Sequence, residues 1–143
     1  IYTKNKYLSY DLDFVLLSYE KRARIKLVLA EIGFKPEGRH YKHKDTPFLV
    51  EFLSPPLSVG AEPIKNISVI KKGNRSLMLL SPTDCVKDRL AAFYHWEDRP
   101  SLDQAIMVCR DNAVDLDEIE RWSRKEGMRT KFRKFQSDLE QFL

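Results

Sequence analysis

The 143-residue sequence predicts an α+β domain, a small mixed sheet backed by one helix and followed by a helical portion. Three observations carry this. Short apolar runs with strand character crowd the first half of the chain, as at Asp11-Leu12-Asp13-Phe14-Val15-Leu16-Leu17 and Phe48-Leu49-Val50-Glu51-Phe52-Leu53. From Ser81 onward the apolar residues recur instead at helical spacing. Strands first and helices last is the order of a segregated α+β fold, and no internal repeat competes with it. The expected division is an α/β core over 1–81 and a helical portion over 82–143, together forming one compact domain.

Composition sets the class. With 43% hydrophobic and 32% charged residues, the chain is neither collagen-like nor disordered, and it is long enough for one core without staples. No apolar run reaches the length needed to cross a bilayer, so no membrane span or signal peptide is expected. Cys85 and Cys109 fall among apolar neighbours in helical patterns, which predicts buried free thiols in a reducing, cytoplasmic setting. The net charge of +4 is compatible with a polyanionic partner and too modest to establish one. The chain opens at Ile1 without a methionine, and residues upstream are expected to have been lost.

In chain order, 1–10 reads as a loop feeding the first strand. Ser18 is an N-cap candidate for a helix through about Ile32, in which Ile25, Val28, Leu29 and Ile32 make an apolar stripe expected to pack on the sheet, with Gly33 as the stop. Lys21, Arg22, Arg24 and Lys26 form its polar face, a solvated surface or a nucleic-acid contact. Arg39, His40, Lys42 and His43 surround Tyr41 in a short strand and turn, read as exposed, phosphate-tolerant surface. After Phe48–Leu53 the Pro55-Pro56 break opens a loop. Apolar arms at Ile67–Lys71 and Ser76–Leu80 flank Lys72-Gly73-Asn74-Arg75 as a hairpin. Ser81-Pro82-Thr83-Asp84 then supplies an N-cap, an N1 proline and an acid at N3, with Val86, Leu90 and Phe93 as the buried stripe. Asp98 to Ser101 caps a third helix, Asp115 opens a fourth with Leu116, Ile119 and Trp122, and Gly127 precedes a last helix carrying Phe132, Phe135, Leu139 and Phe142.

The chemistry-bearing residues are carboxylates in strands. Alternation puts Asp11 and Asp13 on one face, about 6–7 Å apart at a rise of about 3.3 Å per residue, within reach of one divalent cation or a pair. Glu51 interrupts an otherwise apolar run, and a buried carboxylate must be paired, protonated or bound to metal. If the two strands are neighbours, three acids face one point.

Asp11-Leu12-Asp13 at a strand start, a helix, and then Val50-Glu51-Phe52 in a later strand resemble the nucleotidyltransferase superfamily of the DNA polymerase beta type. Leu80-Ser81-Pro82-Thr83-Asp84-Cys85-Val86-Lys87 resembles the lysine-bearing helix of its abortive-infection toxin branch, and Arg99 and Asp103 fall roughly where that branch has an arginine and a Lys-Asp pair, which here reads Leu102-Asp103. The resemblance covers most of the chain from about Tyr7 to Ala105. It implies metal-dependent transfer of a nucleoside monophosphate from a nucleoside triphosphate to a hydroxyl acceptor, which the sequence leaves open among RNA, protein and small molecule. It implies Asp11, Asp13 and Glu51 as catalytic and metal-binding residues, Mg²⁺ or Mn²⁺ as the cofactor, and Lys87 and Arg99 as phosphate ligands.

The family also carries a Gly-Gly or Gly-Ser turn about ten residues before Asp-x-Asp. The five glycines here are Gly33, Gly38, Gly60, Gly73 and Gly127, so that turn does not precede Asp11 within this sequence. This departure favours, as the alternative, a non-catalytic binding or regulatory module on the same fold. A metal-dependent nuclease of the Asp…Glu-x-Lys kind is disfavoured because Leu53 stands where the lysine belongs. A nucleic-acid-binding module, resting on Lys4, Lys6, Arg39, Lys42, Lys71, Lys72 and Arg75, lacks interleaved aromatic residues for stacking bases.

Overall fold

The computed structural model describes residues 1–16 and 22–142. The chain is α+β, with eight strands and five helices among the described residues. Contacts divide it into two units: Leu8–Leu57, and Ile1–Tyr7 together with Ser58–Leu143. The hairpins that follow the proline break thus group with the helices. The Ser18 cap, Leu17 and Lys21 fall outside the described residues.

The first unit is a four-stranded mixed sheet with one helix. Strand β1 (Asp11–Val15) pairs in parallel with β4 (Thr46–Leu53), β4 pairs antiparallel with β3 (His40–His43), and β3 pairs antiparallel with β2 (Lys35–Glu37), giving the order β1-β4-β3-β2. A parallel neighbour requires a crossover, and helix α1 (Arg22–Glu31) lies in it. Gly33 ends this segment at φ 89°, and a Cβ there would come within 2.5 Å of the His43 ring. Both the left-handed backbone and the close approach require glycine.

The stripe on α1 is not buried as its periodicity predicts. Ile25 and Leu29 are half-buried, whereas Val28 and Ile32 are exposed and no residue of the helix is buried. Val50, in the middle of central strand β4, and Leu16 are the buried apolar residues described in this unit. A unit of this size has little interior to offer.

The second unit holds the main core. Strands β5 (Ser58–Val59) and β6 (Glu62–Pro63) form a short ladder within the stretch expected to be a loop, and β7 (Ile67–Lys72) and β8 (Arg75–Leu80) form the expected hairpin. Helices α2 (Pro82–Trp96), α3 (Arg99–Asp111), α4 (Leu116–Lys125) and α5 (Arg129–Phe142) follow. Ser81 caps α2 by accepting the Asp84 N–H at 3.0 Å, and Asp115 caps α4 by accepting the Glu118 N–H at 2.9 Å.

Val86, Leu90, Leu102, Ala105, Ile119, Trp122 and Phe135 are wholly buried in one cluster. Trp122 stacks on Tyr94 at 5.7 Å and its indole N–H donates to the Val59 carbonyl at 3.2 Å. Tyr94 and Ser123 share a hydroxyl hydrogen bond of 2.9 Å, and burial pushes the phenol up to about 12. The chain start joins this unit: the Tyr2 hydroxyl donates to the Leu80 carbonyl at 2.6 Å and Lys6 donates to Asp111 at 2.7 Å. Both cysteines are free and half-buried, and desolvation raises both thiols, that of Cys109 to about 12. No helix is long and apolar enough to cross a membrane among the described residues.

Candidate active site on the four-stranded sheet

Strand register decides which side chains share a face, since directly opposed residues project to the same side. Asp13 on β1 is opposite Glu51 on β4, Glu51 is opposite His40 on β3, and His40 is opposite Glu37 on β2. One row of ionisable residues therefore crosses all four strands. Asp11, two residues along β1, lies on the same face in a second row with Leu49, Lys42 and Lys35. All three acids singled out by the sequence are thus on one sheet face, and two of them are immediate cross-strand neighbours, about 4.8 Å apart in backbone spacing.

The three do not, however, gather as one cluster. Among the described residues no group of three His, Cys, Asp or Glu side chains is close enough to hold a metal ion. Asp11 and Asp13 are exposed on an edge strand, and the Asp11 N–H donates to Ser9 Oγ at 3.2 Å. Glu51 is more enclosed, with its side chain 14% exposed, and its Oε2 lies 3.2 Å from His40 Nε2 and 3.5 Å from Arg39 Nε. Of the three ways to keep a carboxylate in an apolar strand, the described contacts supply pairing, through Arg39 and His40.

His40 and Arg39 are the residues that sequence reasoning left on the surface. The signal was in the pairing of β3 with β4, which places His40 opposite Glu51 only after a register shift at Lys42/His43 is counted. His43 does not join them. Its ring packs on Phe34 at 5.1 Å, and its Nδ1 accepts the Asp45 N–H at 3.1 Å.

A cavity of about 360 Å³ opens at the carboxyl end of β4, lined by Arg22, Arg39, Tyr41, Glu51, Phe52 and Ser54 among others. Arg22 donates to Ser54 Oγ at 2.7 Å and to the Phe52 carbonyl at 3.4 Å.

Lys87 and Arg99 belong to the helical unit. The Lys87 ammonium is buried between Asp84 Oδ1 at 3.2 Å and Glu118 Oε1 at 2.7 Å. Arg99 is exposed and 3.7 Å from Asp138. In this unit Glu118 also binds Arg121, which reaches Glu62 together with Lys125. Arg121 first and Lys87 second hold the Glu118 carboxyl down at about 2, and Arg121 and Lys125 do the same for Glu62.

Against protein-family models, curated proteins and solved structures, the chain finds no match.

Proposed function

We propose that the chain is a nucleotidyltransferase-like protein that transfers a nucleoside monophosphate from a nucleoside triphosphate to a hydroxyl acceptor. One observation supports this most directly: Asp13 and Glu51 stand opposite each other on adjacent parallel strands, with Asp11 on the same face. The donor chemistry fits a hard divalent cation, since all three side chains offer carboxylate oxygens. Asp11 and Asp13 would hold Mg²⁺ or Mn²⁺, which when bound supplies charge neutralisation on the phosphates.

Glu51 has a separate task. Its carboxylate, whose Oε2 lies against His40 and Arg39, accepts the proton of the acceptor hydroxyl. The hydroxyl oxygen then forms its bond to the α-phosphorus as the bond to the β-phosphate breaks, and pyrophosphate leaves with the electron pair. His40, with Nε2 3.2 Å from Oε2, orients the carboxylate for this step. The proposal rests on the acids alone, because Lys87 is already engaged by Asp84 and Glu118.

A second reading, a non-catalytic binding or regulatory module, draws on the same carboxylate: Arg39 and His40 satisfy Glu51 without any ion. Incubating the chain with Mn²⁺, each of the four labelled ribonucleoside triphosphates and a mixed pool of RNA, protein and small hydroxyl acceptors separates the two. The transferase reading expects label on one acceptor class and its loss, with the fold intact, in Asp13→Asn. No transfer, together with no nucleotide-dependent rise in melting temperature, would overturn it and leave the module.

A further inference from the structure

We infer that the cavity at the carboxyl end of β4 is a binding site for a small aromatic phosphate ester, gripped by Arg22 and Arg39 and requiring no metal.

Charge is the first reason. Arg22 and Arg39 line the cavity with Glu51 as the carboxylate that lines it alongside them among the described residues, so the lining is net cationic. Arg22 spends its hydrogen bonds on two neutral acceptors, the Ser54 hydroxyl and the Phe52 carbonyl. A guanidinium has five N–H donors in a planar fork, so these bonds leave most of its capacity unused, and no carboxylate pairs with it among the described residues. Among the described residues Arg39 is paired with Glu51 Oε2 alone, at 3.5 Å, longer than a well-formed charged hydrogen bond, with its side chain 76% exposed. It is free to turn toward a stronger anion.

Geometry is the second. The residue before Arg39 is Gly38 at φ 62°, a left-handed turn between β2 and β3, and both residues line the cavity. A carboxylate presents two oxygens and is satisfied by one guanidinium fork, whereas two guanidinium groups and the Ser54 hydroxyl match the three oxygens of a phosphate ester. Tyr41 and Phe52, packed edge to face at 5.9 Å, supply an apolar wall on which an aromatic group can lie. The volume of about 360 Å³ is at the lower end of small-molecule pockets, about 300–1,000 Å³.

Glu51 then acts as a resident competitor, holding Arg39 until an anion displaces it. Removing its charge should tighten phosphate binding, whereas the same change would weaken any site that depends on a metal. The inference can therefore fail or succeed independently of the transferase reading.

The test is a titration of the whole chain in EDTA with phenyl phosphate, inorganic phosphate and benzoate, followed by calorimetry and by backbone amide shifts. Phenyl phosphate should perturb Gly38, Arg39 and Ser54 and bind at least tenfold more tightly than benzoate, with inorganic phosphate between them. Arg22→Gln and Arg39→Gln should each weaken it about tenfold with amide spectra otherwise unchanged, and Glu51→Gln should strengthen it severalfold. Shifts centred elsewhere, benzoate binding as tightly as phenyl phosphate, or affinity that survives the double Arg22→Gln, Arg39→Gln replacement would overturn the assignment.

Discussion

The ammonium of Lys87 on α2 sits 2.7 Å from the carboxylate of Glu118 on α4, buried where the two helices meet. With Asp84 at 3.2 Å as its second partner, this lysine pairs with two carboxylates at once. Lys87→Ala should therefore destabilise the chain by about 3–5 kcal/mol, the cost of leaving a buried ionic group uncompensated. Urea denaturation of Lys87→Ala and of Lys87→Ala with Asp84→Asn checks this, and the second change should recover part of the loss. A Lys87→Ala variant as stable as the parent would show that the pair contributes nothing.

Acid should act on the same network. Glu118 and Glu62 have folded carboxyl values held down at about 2 against a usual value near 4.5. Their stabilisation is complete above about pH 4.5 and is lost as pH falls from there toward 2, because the unfolded chain takes up protons first. The contribution is about 1 kcal/mol for each, since Arg121 and Lys125 lie half in solvent and are screened. Denaturation midpoints at pH 7 and pH 3 should differ by less in Glu62→Gln than in the parent.

Trp122 fills the centre of the helical core and closes it with a hydrogen bond to Val59. Trp122→Ala should cost about 3–5 kcal/mol. Trp122→Phe should cost less while still losing the indole N–H, and calorimetric melting of the two variants orders them.

The thiols should be slow nucleophiles. With Cys109 raised to about 12 and Cys85 raised by burial, the thiolate fraction at pH 8 is small. Alkylation of Cys109 by iodoacetamide should run about a hundredfold or more faster in denaturant than in buffer, and equal rates would contradict the raised thiol.

If Asp11 and Asp13 hold a divalent cation, Mn²⁺ should raise the melting temperature through binding linkage. Joint replacement by asparagine should remove that rise. A rise that persists in the double variant would place the ion elsewhere.

The sequence made the helical half plain because its signals are local. Ser81 and Asp115 each cap a helix through a backbone N–H three residues away, and a side chain and its target at that distance are visible in the order of residues. The hairpin at Ile67–Leu80 was equally local. The sheet was only partly legible: Asp13 beside Glu51 follows once β1 is known to pair with β4, but periodicity does not say which strands are neighbours. The partners of Glu51 were invisible for that reason, since Arg39 and His40 read as a basic surface run until register sets them against it. The stripe on α1 misled because a 3.6-residue period shows what a helix is able to bury, while Val28 and Ile32 remain in solvent.

The uneven distribution of the core gives the chain two clocks. Amide hydrogens of α2 and α3, which carry Val86, Leu90, Leu102 and Ala105 at zero exposure, should exchange with solvent only through the rare global opening of their unit. Those of β1 and β4 are secured by a sheet in which Val50 and Leu16 supply the described buried apolar contacts, and should exchange through much cheaper local openings. A deuterium label would then enter the carboxylate row long before it reaches Trp122, and a single melting temperature would average two events of different size.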